Sequence, residues 1–157
     1  MAREIRYIKG DATNPIEQGN KILVHICNDI GAWGKGFVLA ISKKWKSPES
    51  QYRQWYKDQT DFQLGNVQFV KVEDDLIVAN LIGQRNIRKT KGQPPIRYEA
   101  VKRGLELVAQ KAIEVNATVH MPRIGYGLAG GDWNEIEKII NEQLIEKDLD
   151  VVVYDFE

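Results

Sequence analysis

Two segments, "KILVHIC" at 21–27 and "DVVVYDF" at 150–156, are apolar on both faces of an extended chain. A strand with one wet face alternates apolar and polar residues, so runs without that alternation belong in a sheet covered on both sides. Further apolar runs bounded by turn residues predict six strands in all, at 5–8, 22–27, 66–72, 76–81, 118–121 and 151–156. The "VEDDL" stretch at 72–76 reads as a hairpin turn between two of them. Helical spacing of three and four residues links Tyr98, Val101, Leu105, Val108, Ala112 and Val115, and again Ile136, Ile139, Ile140 and Leu144. A third helix begins near Gly36 with Phe37, Val38, Ile41 and Trp45 on one side, and "SPESQYRQWYKD" starts a fourth with Ser47 or Ser50 near its cap. Strands and helices alternate, which places the chain in the α/β class.

A length of 157 residues suits one domain with its own core. With 22 basic and 22 acidic side chains there is no global field to gather polyanions, so any phosphate contact is local. The lone Cys27 allows no intramolecular disulfide, and no charged-then-apolar leader or membrane-length apolar run appears, so a cytoplasmic protein without membrane contact is expected. Cys27 reads as a small buried hydrophobe. The polar stretch 83–95, "GQRNIRKTKGQPP", reads as a surface loop carrying Arg85, Arg88, Lys89 and Lys91.

The chemistry concentrates in two glycine loops. "HICNDIGAWGKGF" runs from a strand through Gly31, Gly34 and Gly36 into a helix, and "MPRIGYGLAGGDWNEI" repeats the plan. Glycines let the backbone approach a ligand closely, and the amides and dipole of a following helix favour an anion. The first loop has neither the three-glycine spacing of the dinucleotide fingerprint nor the Walker pattern, since Lys35 lies between its glycines. Asp132 and Glu135 form a capping pair for the last helix. Both loops leave the carboxyl ends of strands, where open α/β sheets bind ligands, and together they suit a diphosphate. No histidine has Cys, Asp or Glu at metal-ligand spacing, so no metal site and no cofactor are expected.

In order along the chain, "YIKGDAT", "LVHICNDIGAWGKGFVLAI", "MPRIGYGL" and "VVVYDF" resemble the macrodomain, the ADP-ribose-binding fold. The "GAWGKG" and "MPRIG" stretches are most similar to the branch holding terminal ADP-ribose protein glycohydrolases and ADP-ribose-1″-phosphate phosphatases. The resemblance implies a three-layer α/β/α domain over 1–157 with a mixed, largely parallel sheet. It implies that Asp11 accepts from the adenine amino group, with the Ala12 amide close to the base, and that Asn28 meets the distal ribose. Gly34, Lys35 and Gly36, beside Trp33, wrap that ribose and its phosphate, while Ile124, Gly125, Tyr126, Gly127 and Leu128 form the diphosphate loop. Tyr154 stacks on adenine, with Phe156 as its substitute. The partner implied is ADP-ribose, a derivative, or a macromolecule carrying it; nucleic acid is not expected unless so modified.

Two departures bear on catalysis. The glycohydrolase subgroup places a lysine nucleophile after the fourth strand and an acid after the second loop, where this chain has Gln84 and Ala129. An amide forms no covalent adduct with an opened ribose and alanine accepts no proton, so lysine-mediated hydrolysis is not expected. Three readings stay open: ADP-ribose binding with hydrolysis at the distal ribose by a water that Asn28, His25 or Asp132 orders; phosphate removal from ADP-ribose-1″-phosphate with His25 as acid or clamp; and a non-catalytic interaction module using Trp33, Tyr126 and the basic loop. His25 could equally be a satisfied strand histidine, and His120 reads as structural.

Overall fold

The computed structural model describes residues 3–89 and 91–156, apart from the side chain of Leu128, whose expected role lies outside the described residues. Six strands form one sheet: β1 (Arg6–Lys9), β2 (Lys21–Asn28), β3 (Val67–Glu73), β4 (Leu76–Gln84), β5 (Thr118–Pro122) and β6 (Val151–Asp155). Their spatial order is β1-β6-β5-β2-β4-β3, parallel throughout except for the antiparallel β3–β4 pair. Asp74 and Asp75 turn that pair, as the "VEDDL" stretch suggests.

The unalternating strands are explained by two separate cores. On one face α3 (Tyr98–Val115) and α4 (Trp133–Gln143) pack over Ile22, Val24, Ala79, Leu81 and Val153; on the other, α1 (Phe37–Lys44) and α2 (Ser47–Asp58) pack over Leu23, Cys27, Val78, Val152 and Tyr154. Successive residues of each strand thus enter opposite cores, the arrangement that makes both faces apolar. Fully burying one such Leu or Ile stabilises by about 1.5–3 kcal/mol relative to leaving it in water.

Boundaries differ from expectation where tertiary pairing overrides composition. β4 extends through Gly83 to Gln84 because its tail pairs with the end of β2 across a bulge, Cys27 opposite Ile82 and Asn28 opposite Gln84. The cap of α2 is Lys46 instead of a serine, and no side chain caps it. Pro48 lies in that first turn and has no N–H to satisfy, which lowers the need for a cap.

Candidate functional site

Five parallel strands end on the same edge of the sheet. With four spacings of about 4.8 Å, the turn after β1 and the loop after β4 stand about 19 Å apart. A ligand touching both must be elongated and must cross the ends of β6, β5 and β2.

At the β1 end, Asp11 makes a tight local turn in which Oδ1 accepts from Thr13 N at 2.8 Å and from Thr13 Oγ1 at 2.7 Å. Its second oxygen, Oδ2, has no partner among the described residues. Lys44, from the last turn of α1, donates to Thr13 O at 2.8 Å and ties this turn to the helix below.

At the β2 end, Asn28 organises the glycine loop. Its Oδ1 accepts from Ile30 N and Ala32 N, each at 3.0 Å, and its Nδ2 donates to Ala32 O at 2.8 Å. Tyr52, fully buried on α2, donates to the Asn28 main-chain oxygen at 2.6 Å. The loop then exposes Gly34, Lys35 and Gly36 before α1 begins. Gly36 caps that helix at φ 85° with no side-chain partner, and no acid sits in the first turn. The leading N–H groups of α1 therefore face outward with their dipole uncompensated.

At the β5 end, Gly125 and Gly127 both adopt φ of 72°, a left-handed conformation. Gly131 N donates to Gly125 O at 2.7 Å, and a Cβ on Gly131 would lie 2.2 Å from that same oxygen, so the loop closes only with glycine there. The N–H groups of Gly125 and Gly127 have no acceptor among the described residues. Tyr126 stands out from the loop at 60 % exposure.

A cleft of about 430 Å³ over Asn28, Ala32, Gly34, Lys35, Gln84 and Arg88 adjoins one of about 210 Å³ over Lys35, Gly36, Gln84, Ile124, Gly125 and Tyr126. Shared walls at Lys35 and Gln84 make them one groove. Its polar lining consists of cations, amides, Tyr126, the His25 ring and backbone donors, and no carboxylate lines it among the described residues. A larger open depression, about 780 Å³, is lined by Tyr56, Phe62 and Leu64 with Asp29 of the first glycine loop at its margin, and none of the loop glycines lines it.

Four of the expected site residues sit in surroundings that bear on their expected roles. His25 is 1 % exposed on the α1/α2 face, under Trp33 and Phe37, with Nε2 bonded to Asn80 Oδ1 at 2.5 Å. Asn80 uses its amide on Pro48 O and Gln68 Oε1, so its oxygen accepts and the His25 Nε2 carries the proton. Burial pushes the His25 pKa down to about 4, so the ring that lines the inner side of the smaller cleft is neutral at pH 7. Trp33 is 4 % exposed, packs on His25 and Tyr52, and donates Nε1 to Ser42 Oγ at 2.8 Å, which leaves no face for ribose or a base. Tyr154, at 2 %, is held by Ile16 N at 3.0 Å and His120 Nδ1 at 2.8 Å within the second core, so it does not stack on a ligand; Phe156, next but one, is 82 % exposed. Asp132 caps α4 through Asn134 N at 2.9 Å and lines neither cleft, which separates it from any water at the distal end. Asn28 reaches the cleft, but with most of its amide committed to the loop its part there is chiefly structural.

His120 is structural as expected. Tyr154 Oη accepts from Ile16 N and shares a hydrogen bond with His120 Nδ1, and His120 Nε2 shares one with Thr118 Oγ1 at 2.8 Å. Cys27 is buried and burial pushes its thiol well above the usual range, which removes it as a nucleophile.

A solved structure of a Bacteroides thetaiotaomicron protein of unknown function is 63 % identical, with TM-score 0.97 over 99 % of both chains. A macrodomain protein from Streptomyces coelicolor is 49 % identical, with TM-score 0.87 over 97 % of this chain and 99 % of that one. The chain belongs to the macrodomain family. Among curated relatives, Chromodomain-helicase-DNA-binding protein 1-like of Danio rerio is 31 % identical over 96 % of this macrodomain, which spans 15 % of that protein's length. The ADP-ribose 1″-phosphate phosphatase of Candida albicans is 26 % identical over 88 % of this chain and 92 % of its own. No protein-family model matches the chain. No helix among the described residues is long and apolar enough to cross a membrane.

Sequence reasoning missed Tyr52, Asp29 and Arg123. Asp29 Oδ1 accepts from Asn86 N at 2.7 Å and pins the loop after β4 to the loop after β2. Nothing local in the sequence marks these contacts, because each joins elements far apart along the chain.

Proposed function

We propose that this macrodomain binds ADP-ribose, free or attached through its distal ribose to a larger molecule. The observation that carries the reading is the polarity along the strand-end edge. A carboxylate oxygen without a partner, Asp11 Oδ2, stands at one end, and unpaired glycine amides, the open start of α1, Lys35 and Arg88 stand in the middle and at the other end. A carboxylate accepts only, so it selects an amino group such as that of adenine; backbone N–H groups and a helix start select phosphate oxygens. The base lies by Asp11, Ala12 and Phe156, the diphosphate over Gly125 and Gly127, and the distal ribose toward Gly34, Lys35 and Gln84.

Among the described residues no carboxylate lines the groove, and its one histidine, His25, is committed to Asn80, so binding is the primary activity, acting through residues 1–157 as one domain. Burial of the lone cysteine suits a reducing compartment, and the cytoplasm is the proposed place of action. A second reading is favoured by Lys35 and Arg88 together at the distal end and by the name of the Candida relative. In it, water attacks the phosphorus of ADP-ribose-1″-phosphate and the 1″ oxygen leaves with a proton, the two cations holding the phosphate. Phosphate release that disappears in Lys35→Ala would establish that reading, and release at the same rate without Lys35 would remove it.

Calorimetry with ADP-ribose, on the unmodified protein and on Asp11→Ala, tests the primary reading. Binding that Asp11→Ala weakens about tenfold or more supports it, the range for loss of a charge-assisted hydrogen bond. No heat at millimolar ligand refutes it.

A further inference from the structure

Arg123 is the last residue before the diphosphate loop, and the ligand groups assigned above leave it without a role. Its guanidinium forks onto Asp155, with Nε to Oδ1 at 2.7 Å and Nη2 to Oδ2 at 3.0 Å. The same plane lies over two rings, 4.8 Å from the centre of Tyr7 on β1 and 4.9 Å from that of Trp133 at the start of α4. Those rings are joined in turn: Trp133 Nε1 donates to Tyr7 Oη at 3.1 Å, and Tyr7 Oη donates to Glu137 of α4. One side chain therefore meets β1, β6 and α4 from the residue that directly follows β5.

The main chain at each end of this clamp continues into a ligand loop. Arg123 O accepts from Tyr126 N at 3.3 Å, inside the diphosphate loop. Asp155 O accepts from Gly10 N at 2.9 Å, one residue before Asp11, and Phe156 follows Asp155 directly. We propose that Arg123 is a positioning residue that fixes the spacing between the base end of the groove and the diphosphate loop. The proposal rests on the reading that the groove takes ADP-ribose.

Partial exposure of the pair, 34 % for Arg123 and 42 % for Asp155, argues against stability as its purpose, since exposed ion pairs contribute little to folding. Its distinguishing property is geometry. Two parallel bonds and two ring contacts define both the position and the tilt of the fork, which a lysine ammonium cannot reproduce. A ligand with two recognised ends gains affinity over its fragments only when its span matches that of the site, so a clamp on the span acts on the whole ligand and not on either piece.

The test is titration of ADP-ribose and of adenosine into the unmodified protein, Arg123→Lys, Arg123→Met and Asp155→Asn, with the melting temperature of each. Arg123→Lys and Asp155→Asn guard against Arg123→Met failing to fold. Affinity for ADP-ribose is expected to fall about tenfold in all three variants, with adenosine affinity within about twofold of the unmodified value. Equal weakening of both ligands would overturn the proposal and make Arg123 part of the base pocket alone. Loss in Arg123→Met with Arg123→Lys and Asp155→Asn unaffected would also overturn it, because a direct guanidinium–phosphate contact needs only the charge. No change in any variant would overturn it as well. Failure of the unmodified protein to bind ADP-ribose would instead remove the functional reading on which the proposal rests, and shows before any substitution is made.

Discussion

Acid should destabilise this protein well above the range where carboxylates titrate. The chain has two histidines, and burial pushes both down to a pKa of about 4, His25 beneath Trp33 and His120 between Thr118 and Tyr154. In the unfolded chain each returns to about 6.5. Between these values the unfolded state binds more protons, so the stabilisation is complete above about pH 6.5 and is lost as pH falls toward 4. Between pH 8 and pH 5 each histidine lowers the unfolding free energy by about 2 kcal/mol, and the two together by about 4 kcal/mol. That is a large fraction of the roughly 5–15 kcal/mol stabilising a typical domain. Asp75, Asp148, Asp155 and Glu49 are held below their usual values by hydrogen bonds to Lys21, Arg3, Arg123 and Ser42, respectively, and contribute at lower pH, so pH 5 is the working limit. Urea denaturation at half-unit steps measures the slope directly. His25→Gln should cut the loss between pH 8 and pH 5 to about half, whatever its effect on absolute stability. A flat profile over that interval, or the same slope in His25→Gln and His120→Gln as in the unmodified protein, would refute the reasoning and return His25 to candidacy as a proton donor at neutral pH.

Gly131→Ala forces a Cβ to within 2.2 Å of Gly125 O, a backbone atom, so the diphosphate loop must reopen. ADP-ribose affinity should drop more than about tenfold in calorimetry, with a cost of about 1–3 kcal/mol in denaturant unfolding; unchanged affinity would show that the loop does not hold the diphosphate. Tyr52→Phe leaves the Asn28 main-chain oxygen without its 2.6 Å donor inside the fold and should cost about 1–3 kcal/mol in the same unfolding experiment. A loss under about 0.5 kcal/mol would mean that the Asn28 loop is held by its own side chain alone.

How much of this was legible depended on whether local pattern or tertiary contact decided the outcome. The strand positions follow from apolar runs, and the placement of both glycine loops at strand ends follows from the order of strand, loop and helix. Orientation was harder. His25 lies on the same strand face as Leu23 and Cys27, and that parity marks it as facing a helix layer, whereas the resemblance to the phosphatase branch is what suggested a part in catalysis. Trp33 sits in the middle of the loop by sequence, but Ser42 of α1 and Tyr52 of α2 enclose its ring. Tyr154 and Phe156 are two residues apart and so share a strand parity; strand pairing ends at Asp155, which leaves the first packed in the core and the second in solvent. Asp132 is the cap that the sequence suggests, and a cap by itself says nothing about the distance to a cleft, which is why its expected catalytic part was not legible from the same pattern.

The most direct measurement is amide chemical-shift mapping of the labelled protein during titration with ADP-ribose. A strand-end groove predicts saturable shifts at Ala12, Lys35, Gly36, Gly125, Gly127 and Phe156, with the surface around Tyr56 and Phe62 silent. Shifts confined to that depression, or none at millimolar ligand, would contradict it.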